Sequence, residues 1–260
     1  MATLSGRVAL VTGAAKGMGA AMSRALVAAG ARVAGLDNDG TSLAAHAASL
    51  GGAFLPIAAD VASIAQCEAA VARTIAELGG LDILVNNAAV GMPVVRPRDH
   101  KGPLRFWEGE PEGWRRLMQI NSEGAYFMAR FATPPMLARG WGRIITVTTN
   151  FDTMLSPGRF GYGPAKAALE AGCAIWAKEL AGSGVTVNVL IPGRQTNTTI
   201  FPPDMPRDGM LEPDIMMAPV VWLASTASDG VSGRRFTAEN WSPAQEGAPL
   251  AWPQLKRRAS

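Results

Sequence analysis

The stretch Arg7-Val-Ala-Leu-Val-Thr-Gly-Ala-Ala-Lys-Gly-Met-Gly19 joins a short apolar run to a turn that contains three glycines. An apolar run of this length is typical of a strand that is buried on both faces of a parallel sheet. Residues 18–29 are rich in Ala, Met and Leu, and they predict a helix that ends at Gly30. Glycines at such a turn let the backbone approach a pyrophosphate, and the helix N-terminus presents free N–H groups. A turn that needs glycine only for packing is the alternative.

The same strand-then-helix pattern continues along the chain, which predicts an α/β fold. We expect a single-domain doubly wound (Rossmann-type) parallel sheet of about seven strands with helices on both faces. The domain spans residues 1–240, with substrate loops at 91–113 and 194–212, and residues 241–260 are expected to form a solvated or loosely packed tail. Further strands are predicted at 32–36, 53–59, 81–85, 143–148, 185–191 and 234–238, and further helices at 41–50, 64–78, 114–137, 161–180 and 214–224.

Composition narrows the function classes. Of the 260 residues, 48% are hydrophobic and 17% are charged, and the formal net charge is +3, which argues against a nucleic-acid partner. Two cysteines, Cys67 and Cys173, and two histidines give no metal-ligand spacing, so we expect reduced thiols and no metal. No apolar run reaches the length of a membrane span and no leader pattern begins the sequence, so a cytoplasmic protein is expected.

Two acidic positions follow strands on the side of the glycine turn. Asp37 ends the second strand eighteen residues after Gly19, where a carboxylate would bind the ribose hydroxyls of adenosine and repel a 2′-phosphate. Lys16 argues the other way, because a cation in the turn could meet that phosphate. Asp37 would touch the ribose directly, so we predict NAD, with NADP the second choice. Asp60-Val61 could hold the adenine amino group, and an ordinary strand-end turn is the alternative reading.

Small and polar residues also close the fourth strand. Asn86-Asn87-Ala88-Ala89 would let a cofactor lie against the carboxyl edge of the sheet, although an Asn turn explains the same residues. Later in the chain, Tyr162-Gly-Pro-Ala-Lys166 opens a predicted helix. A phenol beside a fixed ammonium has its pKa drawn below its usual value of about 10, which suits it to act as a general acid or base.

Taken in order and spacing, these motifs resemble the short-chain dehydrogenase/reductase family over roughly residues 5–240. The resemblance implies the strand order 3-2-1-4-5-6-7, a nicotinamide cofactor and a homodimer or homotetramer. It also implies that Tyr162 is the catalytic acid/base, that Lys166 binds the nicotinamide ribose and lowers the Tyr162 pKa, and that Asn121 holds a water that relays protons to Lys166. The residues expected to contact the cofactor are Gly13, Lys16, Gly17, Met18, Gly19, Asp37, Asp60, Val61, Asn87, Ala88, Tyr162, Lys166, Pro192, Gly193 and Thr196.

The chain departs from the family pattern at three places. Thr149 stands thirteen residues before Tyr162, where the family usually has Ser, and we expect its hydroxyl to bind the reacting oxygen. Ala89 replaces a Gly beside the cofactor. The usual Asp-Gly-Gly-like turn after the last strand is missing, which leaves the oligomer in question. After strand six, Thr196 is our choice for the nicotinamide carboxamide, and Thr198 is close enough to compete.

These observations predict an oxidoreductase that transfers a hydride between NAD(H) and a secondary alcohol or ketone. The substrate is expected to be mainly apolar or ring-containing, and arginines leave open an anionic group on it: Arg96, Arg98, Arg105 and Arg159. The apolar side chains expected around the substrate are Met92, Pro93, Phe106, Trp107, Phe151, Met154, Phe201 and Met205. A catalytically silent dinucleotide-binding or interaction protein on the same fold is the alternative.

Overall fold

The apolar runs form one sheet in the computed structural model, which describes residues 3–98, 100–202 and 204–250. Seven parallel strands lie in the predicted order β3-β2-β1-β4-β5-β6-β7, and a short antiparallel β8 is added beyond β7. The strands are β1 (Val8–Thr12), β2 (Arg32–Asp37), β3 (Phe54–Ala58), β4 (Ile83–Asn86), β5 (Gly142–Val147), β6 (Val185–Ile191), β7 (Arg234–Thr237) and β8 (Ala248–Pro249).

Helices cover both faces of this sheet, as predicted. Helices α3, α5 and α7 pack with one face in one apolar cluster, and α1, α2 and α8 pack with the other. The helices are α1 (Gly17–Ala28), α2 (Gly40–Leu50), α3 (Ile64–Leu78), α4 (Pro111–Met118), α5 (Gly124–Arg139), α6 (Phe151–Leu155), α7 (Tyr162–Glu179) and α8 (Met217–Ala224).

The strand order reverses next to β1, which pairs with β2 on one side and β4 on the other. Connections leave in opposite directions from such a point, so a crevice opens outside the carboxyl ends of the strands. Open α/β sheets bind ligands in that crevice. The fold therefore brings the ends of β1, β2, β4, β5 and β6 to one edge, where the predicted site residues lie.

Three segments differ from their prediction. The helix expected over 114–137 is α4 and α5 joined by a π-helical turn, Gln119–Glu123. The loop 91–113 carries short 3₁₀ turns, and its Val95 and Leu104 form a small apolar cluster with Leu117 of α4. The sequence showed no periodicity from which these turns or this cluster could be predicted. A short helix, α6, lies between β5 and α7.

The tail is the fourth difference, because its described part packs on the sheet. Residues Ala248–Pro249 pair with β7, and the Leu250 N–H donates to the Gly233 carbonyl at 2.9 Å. The rings of Trp241 and Trp222 lie 6.0 Å apart. Within residues 241–250 the chain therefore pairs with the edge of the sheet, while most of the side chains are exposed, as expected of a solvated end. Residues 251–260 lie outside the described ranges.

Within the described ranges, no helix has the length and apolar character needed to cross a membrane. The same part of the chain contains no group of three or more His, Cys, Asp or Glu side chains that could hold a metal ion.

Candidate active site

Two adjoining cavities occupy the carboxyl edge of the sheet. The first, which we call the catalytic cavity, has a volume of about 280 Å³ and contains Thr149, Tyr162 and Lys166 in its walls. The second, the turn cavity, has a volume of about 270 Å³ and is lined by the glycine turn and Asp37. Residues common to both walls, including Met18 and Asn87, lie where the cavities meet.

The predicted site residues divide between these cavities. Those in the catalytic cavity are Thr149, Tyr162, Lys166, Pro192, Gly193 and Thr196, and those in the turn cavity are Gly13, Lys16, Gly17, Asp37, Asp60, Val61 and Ala88. Met18 and Asn87 line both. Gly19 and Asn121 line neither of the two, so any role they have in the site is indirect.

The glycine turn leaves no room for side chains at two of its positions. Gly13 has a φ of +66°, and a Cβ there would lie 2.9 Å from the Ala88 Cα. A Cβ on Gly19 would lie 2.0 Å from the Gly13 carbonyl oxygen. Only glycine therefore fits at these two positions. The turn brings the start of α1 against the residues that follow β4.

The N-terminus of α1 faces the turn cavity without a side-chain cap. Lys16 occupies the capping position in an extended conformation and makes no capping hydrogen bond. Uncapped N–H groups at the positive end of a helix dipole form an anion site. The turn therefore fits the pyrophosphate of a dinucleotide.

Asp37 is held at the end of β2 by two backbone donors. Its carboxylate accepts hydrogen bonds from the Ala15 N–H at 3.0 Å and from the Asp39 N–H at 2.9 Å. These bonds orient the carboxylate over the turn cavity and still leave lone pairs for further donors. The position suits an acceptor for ribose hydroxyls.

Lys16 forms an ion pair with Asp39, at 2.7 Å between Nζ and Oδ2. The hydrogen bond to Asp39 raises the Lys16 pKa above its usual value, and the same bond holds the pKa of the Asp39 carboxyl well below its usual range. Asp39 also caps α2 by accepting from the Ser42 N–H. The charge of Lys16 is thus already matched by a carboxylate, which the sequence analysis missed.

Asp60 has protein partners for both of its oxygens. One accepts from the Ala62 N–H at 2.9 Å, and the other accepts from the Arg116 guanidinium. Burial alone would raise the Asp60 pKa, but the Arg116 and Ala62 hydrogen bonds outweigh it and the pKa is lowered. The carboxylate therefore organises the β3–α3 turn as well as lining the turn cavity.

Asn87 connects β4 to the glycine turn. Its side-chain amide donates to the Thr12 and Gly13 carbonyls at 2.9 and 3.2 Å. The Thr12 hydroxyl in turn accepts from the Asn87 and Ala88 N–H groups, each at 3.0 Å. Asn87 thus holds the floor between the two cavities, and its partner Thr12 is the residue that precedes Gly13 in the glycine turn.

Tyr162 and Lys166 lie one turn apart at the start of α7. The Lys166 Nζ is 5.9 Å from the centroid of the Tyr162 ring and donates to the Val147 carbonyl at 2.9 Å. Burial lowers the Lys166 pKa to about 8. Burial also raises the Tyr162 pKa to about 12, with Arg159 acting in the opposite sense. That direction opposes the expected lowering by Lys166, which stays a prediction for the complex with bound ligands.

Thr149 and its neighbour Thr148 have different surroundings. The Thr148 hydroxyl is buried and donates to the Glu170 carboxylate at 3.0 Å, whereas the Thr149 hydroxyl makes no hydrogen bond within the described chain and borders the catalytic cavity. Glu170 also pairs with Arg235, whose guanidinium lies 3.7 Å from the centroid of the Phe151 ring. This buried network fixes the chain on either side of Thr149.

Asn121 lies on the π-helical turn and is almost fully buried. Its side-chain amide donates to the Val90 carbonyl and accepts from the Val90 N–H, both at 2.8 Å. The side chain is therefore committed to holding the start of the 91–113 loop. A contribution to a proton relay would have to come from its backbone, at a π-turn of the kind that recurs at functional sites.

The segment after β6 forms one wall of the catalytic cavity. Thr196 is buried, and its hydroxyl donates to the Arg194 carbonyl at 3.3 Å. Thr198 lines both cavities, and its methyl would lie 3.1 Å from a Cβ on Gly17. Thr196 and Thr198 therefore both remain candidates for the nicotinamide carboxamide.

The apolar side chains expected around the substrate divide into two groups. Four of them line the catalytic cavity: Met92, Pro93, Phe201 and Met205. Phe106 and Trp107 are instead 71% and 68% exposed and contact each other edge to face, and Met154 is the buried residue of α6. The wider set was wrong for these three residues, since hydrophobicity alone does not reveal which way a loop side chain turns.

Residues that the sequence analysis missed have a common character. Asp39, Glu170 and Arg235 act by binding other protein groups, and no motif spacing marks such partners. Asp39 alone carried a local signal, because an Asp three residues before a Ser at a helix start is a typical N-cap.

Comparisons with known proteins show the family to which this chain belongs. The family model of short chain dehydrogenases matches residues 7–205. D-threitol dehydrogenase of Mycolicibacterium smegmatis is 32% identical over 249 residues, covering 88% of this chain and 90% of that protein. The 3-oxoacyl-[acyl-carrier-protein] reductase FabG of Escherichia coli is 32% identical over 207 residues, covering 79% and 81%.

Among solved structures, a 3-ketoacyl-(acyl-carrier-protein) reductase from Brucella melitensis complexed with NADH superposes with a TM-score of 0.81 and 29% identity. The match covers 90% of this chain and 97% of that one. The chain belongs to the short-chain dehydrogenase/reductase family of oxidoreductases. Its tight glycine turn and uncapped α1 fit a nicotinamide dinucleotide.

Proposed function

We propose that this protein interconverts a secondary alcohol and a ketone with NAD(H). The observation that carries the proposal is the wall of the catalytic cavity. There the Thr149 and Tyr162 hydroxyls make no hydrogen bond within the described chain, beside the buried ammonium of Lys166. Hydroxyls without a protein partner at one end of a cavity are available to a substrate oxygen. Bound nicotinamide supplies the hydride chemistry.

In the proposed mechanism, Tyr162 takes the proton of the alcohol during oxidation and returns it to the carbonyl oxygen during reduction. Thr149 donates a hydrogen bond to the same oxygen and orients it. Lys166 stabilises the phenolate electrostatically and holds the ribose, and Asn121 maintains the proton relay to Lys166. General acid–base transfer of this kind contributes about 10²- to 10⁴-fold to the rate.

The cofactor would extend across both cavities. We assign the pyrophosphate to the turn formed by Gly13, Gly17 and Gly19, with Lys16 and Met18 beside it. We assign the adenosine end to Asp37, Asp60 and Val61. Asn87 and Ala88 would lie beneath the cofactor, at the floor between the two cavities. The nicotinamide end falls to Tyr162, Lys166, Pro192, Gly193 and Thr196.

The preference for NAD over NADP is supported by charge in the turn cavity. Asp37 is oriented there by two N–H groups, and Lys16 is paired with Asp39. A 2′-phosphate would therefore meet two carboxylates and one already neutralised cation, and like charges brought together cost free energy.

The substrate is proposed to be mainly apolar or ring-containing. Met92, Pro93, Phe201 and Met205 give the cavity apolar walls on both loops. Apolar walls with a few convergent polar groups are typical of small-molecule sites.

The direct test is a panel of secondary alcohols and ketones assayed with NAD(H) and NADP(H). We expect turnover of cyclic or apolar compounds, with a higher kcat/KM for NAD. Activity only on small hydrophilic polyols would contradict the substrate class, and a higher kcat/KM with NADP would contradict the cofactor.

A second candidate, a catalytically silent dinucleotide-binding protein, is favoured by one observation. The Tyr162 pKa is raised to about 12, the wrong direction for a base. NADH binding without turnover of any compound in the panel would favour this candidate. The open hydroxyls of Thr149 and Tyr162 favour the enzyme.

We also propose that the protein forms a homodimer or homotetramer. Apolar side chains are exposed on α5 and α7, among them Tyr126, Leu137 and Ile175. Light scattering after gel filtration measures the oligomer, and a monomer at micromolar concentration would contradict it.

A further inference from the structure

A further depression, distinct from the turn cavity, opens next to the catalytic cavity. We call it the arginine groove; it is lined by Met92, Arg96 and residues 103–105 and 157–159, and its volume is about 440 Å³. Met92, Arg96 and Arg159 also line the catalytic cavity, so the two spaces are continuous at these side chains. A substrate bound at Tyr162 can therefore extend toward the groove.

The charges around this junction have one sign. Arg96, Arg105 and Arg159 line the groove, and no Asp or Glu among the described residues lines either the groove or the catalytic cavity. Glu108, an acid on the described part of the loop, accepts the Arg105 backbone N–H at 2.7 Å. The junction thus concentrates positive charge where part of the wall is apolar, and low-dielectric walls strengthen its field.

Arg159 is the arginine best placed to bind a ligand. It is partly buried, and its guanidinium makes no hydrogen bond or ion pair within the described chain. Arg96, in contrast, donates one N–H to the Gly102 carbonyl at 3.0 Å. A guanidinium offers five N–H donors in a planar fork that matches a carboxylate, so an unpaired one that faces a cavity is open to an anion.

Arg159 is also close to the reacting centre. Its carbonyl accepts the Gly163 N–H at 2.7 Å, which places Arg159 on the turn that leads into α7 and Tyr162. Its charge acts to lower the Tyr162 pKa, in agreement with that short separation. An anion held by Arg159 would lie within the same small molecule as an oxygen held by Tyr162.

We propose that the substrate carries a carboxylate, which Arg159 binds with help from Arg96 at the junction of the catalytic cavity and the arginine groove. The substrate class is then an oxo acid and the corresponding hydroxy acid, with an apolar carbon skeleton against Met92 and Phe201. This inference rests on the proposed dehydrogenase function and deepens it.

Binding to a complex that cannot turn over tests the subsite. The protein saturated with NAD is titrated calorimetrically with 2-, 3- and 4-oxo acids and with the primary amide of each, which keeps shape and loses charge. We expect at least one acid to bind about 10-fold or more tightly than its amide, as for a charge-assisted hydrogen bond. Equal affinities across the series, or no binding of any compound, would overturn the proposal.

Variants separate binding by Arg159 from a mere influence on Tyr162. Arg159→Gln should remove the preference for the acid and leave amide affinity unchanged, and Arg159→Lys should restore part of it. Arg98→Gln is the matched control, because Arg98 is exposed on the 91–113 loop and lines neither the arginine groove nor the catalytic cavity. If Arg159 acts only through Tyr162, Arg159→Gln will alter kcat and its pH profile equally for acid and amide substrates, and that result also overturns the subsite.

The proposed function fails in a different way. If neutral secondary alcohols are oxidised while acids and amides bind equally, the dehydrogenase stands and the subsite is wrong. If acids bind tightly through Arg159 and no alcohol is oxidised with either cofactor, the subsite stands and the proposed reaction is wrong.

Discussion

The two cavities differ in what their polar side chains already bind. In the turn cavity, Lys16, Asp37, Asp60 and Asn87 are each hydrogen-bonded to other parts of the protein. In the catalytic cavity, the hydroxyls of Thr149 and Tyr162 and the guanidinium of Arg159 have no such partner within the described chain. Other side chains of that wall do have partners: Lys166 donates to the Val147 carbonyl, Arg96 to the Gly102 carbonyl and Thr196 to the Arg194 carbonyl.

The difference separates two tasks. Side chains in the turn cavity hold the backbone that would cradle a cofactor, so their loss disturbs the shape of the cavity as well as its contacts. The Thr149, Tyr162 and Arg159 side chains in the catalytic cavity remain free for a ligand, so their loss removes chemistry and leaves the shape intact. Substitutions in the two cavities should therefore change different measured quantities.

Tyr162→Phe should have the largest effect on turnover. The ring is kept and only the acid–base hydroxyl is lost, so we expect a fall in kcat of about 10³-fold or more. NADH affinity, measured by fluorescence titration, should be nearly unchanged. A rate above a few per cent of wild type would remove Tyr162 from the mechanism. Tyr162 would then have only a structural role, like the side chains of the turn cavity.

Thr149→Val should have the next largest effect. Valine has the shape of threonine without the hydroxyl, and loss of one positioned donor costs about 10²-fold in kcat. Thr149→Ser keeps the donor and should retain most activity, although it loses the β-branch that restricts χ1. Equal rates for the Val variant and wild type at saturating NAD and substrate would show that the free hydroxyl of Thr149 has no catalytic use.

The arrangement of the sheet was predictable because long-range pairing leaves local signs. Apolar runs of five to seven residues followed by helical periodicity mark buried parallel strands, and right-handed crossovers then leave few possible strand orders. Strand β8 gave no such sign. It spans two residues, Ala248–Pro249, and its pairing with β7 depends on tertiary contacts such as that of Leu250 with Gly233.

Site residues were predictable only where the chemistry requires a particular residue type at a fixed spacing from another. Tyr162, Lys166 and Thr149 follow that rule, and the structure brings them to one cavity. The network at Thr148 does not, since Thr148 donates to Glu170 on a helix, and Glu170 in turn pairs with Arg235 on a strand far along the chain. Likewise, the direction of the Phe106 and Trp107 side chains is decided by how the 91–113 loop packs, which periodicity does not encode.

The buried ammonium of Lys166 predicts a pH dependence of stability. Its pKa is about 8 in the folded protein and 10.5 as the ordinary value, so between these the unfolded chain binds more protons and the free energy of unfolding rises with pH. The slope approaches about 1 kcal/mol per pH unit. Lys166→Met should remove this rise, as measured by urea unfolding at pH 8, 8.5 and 9.

The comparison with wild type must stay below about pH 9. Burial raises the pKa of Cys67 to about 11 and that of Cys173 to about 12, from 9.0, so from about pH 8 upward the folded protein increasingly retains protons that the unfolded chain loses. This opposing contribution is common to both proteins, so the difference between their slopes reports Lys166. Above about pH 9 the free energy of unfolding falls with pH in both proteins. Identical slopes for the Met variant and wild type between pH 8 and 9 would mean that Lys166 is not desolvated.

Asp37→Ala should narrow the preference for NAD. It removes the ribose acceptor and the repulsion of a 2′-phosphate, so the ratio of kcat/KM for NADP to that for NAD should rise about 10-fold. Because Asp37 also holds the Ala15 and Asp39 N–H groups, Asp37→Asn is the control, since it keeps an acceptor without the charge. A wild type that already prefers NADP would contradict the role of Asp37.

Asp39→Ser should produce the smallest change. It tests whether the Lys16–Asp39 ion pair in the turn cavity also affects the choice between NAD and NADP. Serine still caps α2 by accepting from the Ser42 N–H, but it no longer pairs with Lys16. The freed ammonium can then meet a 2′-phosphate, so kcat/KM for NADP should rise about threefold while that for NAD stays constant. The gain is small because solvent screens an exposed ion pair. Adding Lys16→Met to Asp39→Ser should cancel it. An unchanged kcat/KM for NADP in Asp39→Ser would mean that Lys16 does not reach the phosphate, and that Asp37 alone decides which cofactor is used.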